Sequence, residues 1–375
     1  MQNTYSEIDL EDVLYALSSR MPWLIAKPVL DALGIITSNG WQPTIAKLGI
    51  LPGSKEYQNA HQKLSQLFSE HILFGEKIIK QFSINGIPEK DINQFKKSIN
   101  AFQQSYKKPK ESPYTATYPY PILNTATLKS LDSIGHELID VTKQKNLTVF
   151  QFCSVRSYRE RIEISIDDFE GAKKFQTLQQ FEEFYAISPT YRQCYDAVVF
   201  DNEKNIIELR LDAPKGMSVE ELYLAVNMLG DQFDRLANKH FGYTPCSSSP
   251  RNLYKAIGSL YKASEEGMVY ELGFTASSSS TTSNNSGKLL RGRNRDLRKD
   301  PFHVGGKSQV SDVMPYRIGV EWKGQNLIGM PRLYIPGTAR MLNKPPCEIS
   351  FAYITNAVSK SDFEFVASKL EQHLV

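Results

Sequence analysis

Apolar residues recur at helical spacing through the first hundred positions, and in much of the rest they alternate as strands do. Leu10, Val13, Leu14 and Leu17 mark a first helix. Positions 23–33 form a more continuous apolar run that Gly34 is placed to end, 38–41 reads as a turn, and a short helix is expected around Pro43. Leu64, Leu67, Phe68, Ile72, Ile78 and Ile79 predict one long helix over 56–82, or two shorter ones broken near Gly75. Pro88 suits the first turn of a helix running to about Gln104, with Ile92, Phe95, Ile99 and Phe102 along one side. Four or five such helices make a small bundle.

Prolines at 109, 113, 119 and 121 exclude regular helix from 107–121, which reads as a linker and as the domain boundary. Beyond it the pattern mixes. A helix is expected over 128–143, strands over 147–153 and 161–166, and a hairpin from 197–200 and 206–211 across the turn 201–205. Ser218 and Glu221 form a capping-box pattern at the head of a strong helix. Leu222, Val226, Leu229, Phe233 and Leu236 supply its core stripe, and Gly242 stands just beyond its end. Another helix is expected over 252–263, strands over 268–274, 316–323 and 348–354, and a last helix from Ser361 that buries Phe363, Val366 and Leu370. Strands and helices without strict alternation predict an α+β fold. The expected organisation is an all-helical bundle over 1–106, a Pro/Tyr-rich linker over 107–121, and a mixed α+β domain over 122–375. A disordered Ser-rich and basic insertion is expected within that domain at 275–310.

Composition adds limits. With 375 residues, 41% hydrophobic and 23% charged, the chain is long enough for two domains and too apolar for global disorder. No run approaches the length of a membrane span, and the polar, acidic opening MQNTYSEIDLEDV lacks the order of a secretory signal. Cys153, Cys194, Cys246 and Cys347 lie far apart with no C-x-x-C pair, which suits small core residues in a reducing compartment. A cytoplasmic protein without membrane contact is therefore expected.

The net charge of +3 becomes informative once located. Seven of the 44 Lys/Arg and two of the 41 Asp/Glu fall between 286 and 310, leaving 37 against 39 elsewhere. Lys288, Arg291, Arg293, Arg295, Arg298 and Lys299 crowd this window, with His303 and Lys307 behind them. Guanidinium forks bind phosphate oxygens bidentately, and interspersed Gly lets a backbone approach. The eight residues are the predicted nucleic-acid contacts, for DNA or RNA alike. Four to six phosphates gripped there would give a log–log salt slope of roughly −4 to −5 on duplex DNA. The alternative reading of the same window is a solvated charged loop.

Three further motifs each have an ordinary explanation beside the functional one. Gly305-Gly306-Lys307-Ser308 ends like a phosphate-binding loop, but Pro301 stands where that motif needs glycine, so a tight loop entering the next strand is expected. Tyr114, Tyr118 and Tyr120 beside Lys107, Lys108 and Lys110 have the makings of a base-stacking strip, or of a linker packed on the body. In the hairpin, a turn centred at Glu203 pairs Val198 with Glu208 and sets Asp196, Glu208, Arg210 and Asp212 on one face. Those few residues resemble the core of the PD-(D/E)xK nucleases, a likeness of fewer than twenty positions. The resemblance implies Mg²⁺ on Asp196 and Glu208, with Arg210 standing where that family has lysine.

The expected function is accordingly nucleic-acid or other polyanion binding by an accessory protein without cofactor, its helical N-terminal region docking a protein partner or a second copy. A bacterial phage-defence or mobile-element system is the expected setting, although no particular residue supports it. The alternatives are a Mg²⁺-dependent nuclease and a pure interaction subunit.

Overall fold

A computed structural model describes residues 9–50, 52–165, 183–213, 216–277, 287–324, 327–343 and 346–374. Ten strands among them form one antiparallel sheet. They are β1 (Lys77–Ser83), β2 (Glu137–Gln144), β3 (Leu147–Ile164), β4 (Phe184–Asp201), β5 (Ile206–Asp212), β6 (Met268–Ser277), β7 (Lys288–Arg291), β8 (Asp312–Glu321), β9 (Arg332–Ile335) and β10 (Phe351–Thr355). Their spatial order is β2-β3-β4-β5-β1-β10-β9-β8-β6-β7.

Helices cover both faces, and adjacent residues of β1 show how. Ile78 packs with Phe150, Phe152, Val198, Phe200 and Leu209 under α5 (Glu89–Ser105) and α8 (Val219–Phe241). Its neighbour Ile79 points the opposite way and joins the core of β6, β8, β9 and β10 with α9 (Tyr254–Lys262) and α11 (Lys360–Leu374). That second face also carries α1 (Leu10–Ser18), α2 (Trp23–Ala32), α3 (Trp41–Ala46) and α4 (Lys55–Phe74), which pack on Cys153, Val155 and Tyr195. The mixed α+β class is thus observed, and no helix among the described residues is long and apolar enough to cross a membrane.

Several expectations change. The helix over 56–82 ends at Phe74, and 77–83 is a strand in the middle of the sheet, between β5 and β10. A strand covered on both faces reads as an unbroken apolar run, which periodicity does not distinguish from buried helix. The first 106 residues therefore supply a central strand to the same sheet as the rest, and they are not an all-helical unit. The stretch 107–121 is packed as well: α6 (Pro113–Thr117) lies within it and Tyr114 is fully buried. The helix over 128–143 is a short α7 (Thr125–Leu131), then Gly135 at φ +82°, then β2.

Past the sheet, β3 and β4 continue together from about Ser154 and Asp196 outward as a two-stranded ribbon, paired up to Ile164 and Phe184. The Ser-rich tract 278–286 and Ile166 lie outside the described residues, but their flanks have regular structure. Residues 275–277 end β6, 288–291 form β7, and α10 (Pro301–Lys307) follows a short 3₁₀ turn at Leu297–Lys299. Asp300 caps α10 with Pro301 in its first turn, so Gly305, Gly306 and Lys307 are helical rather than a loop.

The position of β1 gives a direct test of domain organisation. A chain beginning at Lys107 lacks a central strand and is expected to be unfolded or aggregated, with no cooperative thermal transition by circular dichroism. A native-like melt of that fragment would show that the sheet closes without β1.

Candidate functional site

The register of the β4–β5 hairpin decides the fate of the carboxylate pair. Asp201 pairs with Ile206 across a four-residue turn in which Asp201 Oδ1 accepts from the Glu203 and Lys204 N–H groups and Asn205 takes φ +55°. Val199 therefore stands opposite Glu208, one residue from the expected pairing. A one-residue slip exchanges the faces of a strand. Glu208 and Arg210 lie on the face of Val199 and Ala197, while Asp196 points to the other, so the structure separates Asp196 from Glu208. Glu208 accepts from Arg210 Nε at 2.6 Å and from Gln81 Nε2 at 2.8 Å. The Arg210 guanidinium lies 4.4 Å from the Phe363 ring centroid.

The basic window is largely neutralised within the fold. Arg298 is buried and donates to the carbonyls of Leu260, Ala263, Glu266 and Gly267 as well as to Asp296, closing the C-terminal end of α9. Arg291 pairs with Glu271, Arg295 with Asp300 and Lys299 with Glu265. His303 is buried, its Nε2 2.9 Å from the Tyr261 hydroxyl, and the Lys307 ammonium lies 5.1 Å from that ring's centroid. Lys288 and Arg293 are exposed. Arg298 and His303 are thus parts of the core, and the six others lie on the surface.

A second cluster of charge, spread across the sequence, has a different character. Where β5 parts from β4, each strand's carboxylate replaces the missing ladder acceptor of the other. Asp212 Oδ2 accepts from the Tyr195 N–H at 3.0 Å, and Asp196 Oδ1 accepts from the Asp212 N–H at 2.8 Å. On one side Asp212 holds Arg20 Nη2 at 2.5 Å and Lys77 Nζ at 3.5 Å. On the other, Asp196 holds Arg156 Nη2 at 2.5 Å and His136 Nε2 at 3.1 Å. Burial alone would raise both carboxyl pKa values. Arg156 with His136 at Asp196, and Arg20 with Lys77 and Arg192 at Asp212, outweigh it and hold both well below the usual carboxylate range.

The cations nevertheless exceed the anions. Arg20, Lys77 and Arg156 are buried against these two carboxylates, and Arg192 adds a fourth cation at their edge. Burial pushes Lys77 down to about 8 against the pull of Asp212. Burial, then Arg20 and Lys77, push His71 down to about 3, so its ring is neutral in the fold. Burial, then Arg20, lower Arg192 too, but a guanidinium cannot shed its proton near neutral pH.

Several polar atoms of this cluster lack a hydrogen-bond partner among the described residues: Arg20 Nε, Arg192 Nε, both ring nitrogens of His71, and the Tyr195 hydroxyl. Buried polar atoms are almost always satisfied, and a group of orphans in one place calls for water or a ligand.

Space for one adjoins them. A cleft of about 370 Å³ opens between the end of α1, α3 and the base of the β3–β4 ribbon, lined by Arg20, Trp23, Trp41, Arg159, Arg161 and Arg192 among others. A second cavity of about 290 Å³ meets it at Ser19, Arg20, Tyr158 and Arg192 and runs between α1, α4, α7 and β4. Two carboxylates also line the first: Glu76, accepting from the Asn356 N–H, and Glu160, accepting from Thr190 Oγ1. Four guanidiniums against two carboxylates, beside two tryptophans with ring centroids 5.4 Å apart, suit a planar anion. None of these residues stands out in the sequence, because Arg20 and Arg192 meet only through the fold.

Comparison of the chain with protein-family models and with curated proteins finds no match in either.

The charge cluster makes stability pH-dependent. Because His71 stays neutral down to about 3 in the fold but titrates near 6.5 when unfolded, it removes stability as pH falls through that interval. Asp196 and Asp212 add a steeper loss below the unfolded carboxylate value of about 3.9. Urea midpoints are therefore expected to fall from pH 7 to pH 4 and faster below. Asp212→Asn, which leaves Arg20 and Lys77 buried without their counter-charge, is expected to cost about 3–5 kcal/mol at pH 7. A midpoint insensitive to acid, or a variant as stable as the wild type, would contradict this account.

Proposed function

We propose that this protein binds a phosphate-bearing polyanion, nucleic acid foremost, and that the arginine cleft is where it does so. The supporting observation is the pair Arg20 and Arg192, two guanidiniums lining one cleft with buried Nε atoms that have no partner among the described residues. An anion seated between the two guanidiniums would offset the surplus positive charge of the cluster. Arg159 and Arg161, exposed on the ribbon at the cleft, extend the same charge outward along a path a backbone of phosphates can follow. Trp23, Trp41 and Tyr158 give flat apolar surface beside it, which stacks bases of any sequence. Lys288, Arg293 and the other exposed residues of 288–307 are then at most an auxiliary surface, since Glu271, Asp300 and Glu265 already hold three of them. Magnesium-dependent cleavage by Asp196 and Glu208 is left out of the proposal because the two carboxylates occupy opposite faces of the sheet.

Fluorescence anisotropy with labelled single-stranded and duplex oligonucleotides, at two salt concentrations, tests the proposal. The triple variant Arg159→Ala/Arg161→Ala/Arg192→Ala is expected to lose at least about tenfold in affinity and to flatten the salt slope by about one unit per phosphate contact removed. Arg291→Ala/Arg293→Ala/Arg295→Ala, chosen to spare the structural Arg298, is expected to change affinity by less than about threefold. Loss confined to the Arg291/Arg293/Arg295 variant would return the binding surface to the basic window, and no binding by the wild type would end the proposal.

A further inference from the structure

Resting on that anion-binding reading, we infer that the two joined cavities accept one nucleotide unit, its phosphate between Arg20 and Arg192 and its base in the chamber behind them. Three observations converge. The guanidiniums stand at the junction, since Arg20 and Arg192 line both cavities together with Tyr158. Behind that junction the second cavity is walled by Phe68, Ile122, Leu128, Tyr191 and Tyr195, a largely apolar and aromatic lining. About 290 Å³ suits a heterocyclic ring with part of its sugar.

The chamber is largely aromatic, and this selects among anions with an apolar part. Phe68, Tyr191 and Tyr195 belong to its wall, while Thr190 Oγ1 and the Gln193 amide are already hydrogen-bonded within the fold. An alkyl chain fills such a space without gaining from flat rings, whereas a base has a π-face that stacks on them. The Arg20 guanidinium, 5.2 Å from the Tyr195 ring centroid, already lies over one of these rings and so places the phosphate site next to the base site. The ligand chemistry is that of a nucleoside monophosphate, whether free or at the end of a strand.

Thermal unfolding of the full chain with inorganic phosphate, a nucleoside, and each of the four nucleoside 5′-monophosphates separates the parts. A monophosphate is expected to bind at least about tenfold more tightly than phosphate alone and to raise the melting temperature accordingly, while the nucleoside alone shifts it little. Oligonucleotides with and without a 5′-phosphate identify the source: preference for the phosphorylated end marks a strand terminus, and monophosphate binding without that preference marks a free nucleotide. Phosphate stabilising as well as any monophosphate would overturn the inference. So would oligonucleotide binding that depends on Arg192 while no monophosphate binds, an outcome that leaves the proposed function intact. The comparison of ligands uses the wild type alone, so it holds even if a variant fails to fold.

Discussion

The reciprocal capping of β4 and β5 by Asp212 and Asp196 is the constraint from which much of this structure follows. An antiparallel pair that separates leaves backbone N–H groups without acceptors, and buried ones must find replacements. Here the replacements are carboxylates, one from each strand, pointing to opposite faces of the sheet. Each charge then needs its own counter-ions on its own face. Asp212 draws Arg20 from just beyond α1 and Lys77 from β1; Asp196 draws Arg156 from the ribbon and His136 from just before β2. Two side chains at one strand junction thereby tie together segments as far apart as residues 20 and 212.

The same knot explains why the ribbon and the helical layer meet where they do. Arg20 fixes the end of α1 against β4, and its guanidinium over Tyr195 fills the gap between them. Arg156 anchors β3 as it leaves the sheet by donating to the Asp212 carbonyl as well as to the Asp196 carboxylate. Lys77 donates to the Tyr195 carbonyl and so joins the first central strand to β4. Breaking one such buried contact leaves several charges exposed to a low-dielectric interior, which makes the arrangement cooperative.

Signals confined to one element are legible in the sequence, and those that arise between elements are not. The capping box at Ser218 and Glu221, the αL Gly242 and the stripe from Leu222 to Phe233 all lie within one helix, and α8 forms as they require. The apolar repeats of α1, α5 and α11 succeed for the same reason. Ile78 and Ile79 fit a helix as well as a strand in the sequence, because each is buried on a different face and an unbroken apolar pair has no period. The hairpin strands were found, but their register rests on whether the turn centres at Glu203 or half a residue later, and that half-residue decides which face Glu208 occupies. Local charge density likewise drew attention to 288–307, where distant Glu271 and Glu265 were waiting to neutralise it. Arg20 and Arg192 carry no local signature at all: each is a lone arginine among apolar and polar neighbours.

The type of cation at the cleft bears on its use. A surplus of buried positive charge can be relieved by loss of a proton, and Lys77, pushed down to about 8, is placed to do so. Arg20 and Arg192 have no such route, since guanidinium stays charged at any pH the fold survives. Asp212 balances Arg20, and the Glu76 and Glu160 side chains are already engaged, so the remaining surplus is relieved only by a further anion. Arg20 and Arg192 both line the two cavities, whereas Arg156, equally unable to neutralise itself, is held by the Asp196 carboxylate and the Asp212 carbonyl. Charge that is fixed in place beside open space is the feature on which the proposed anion site rests.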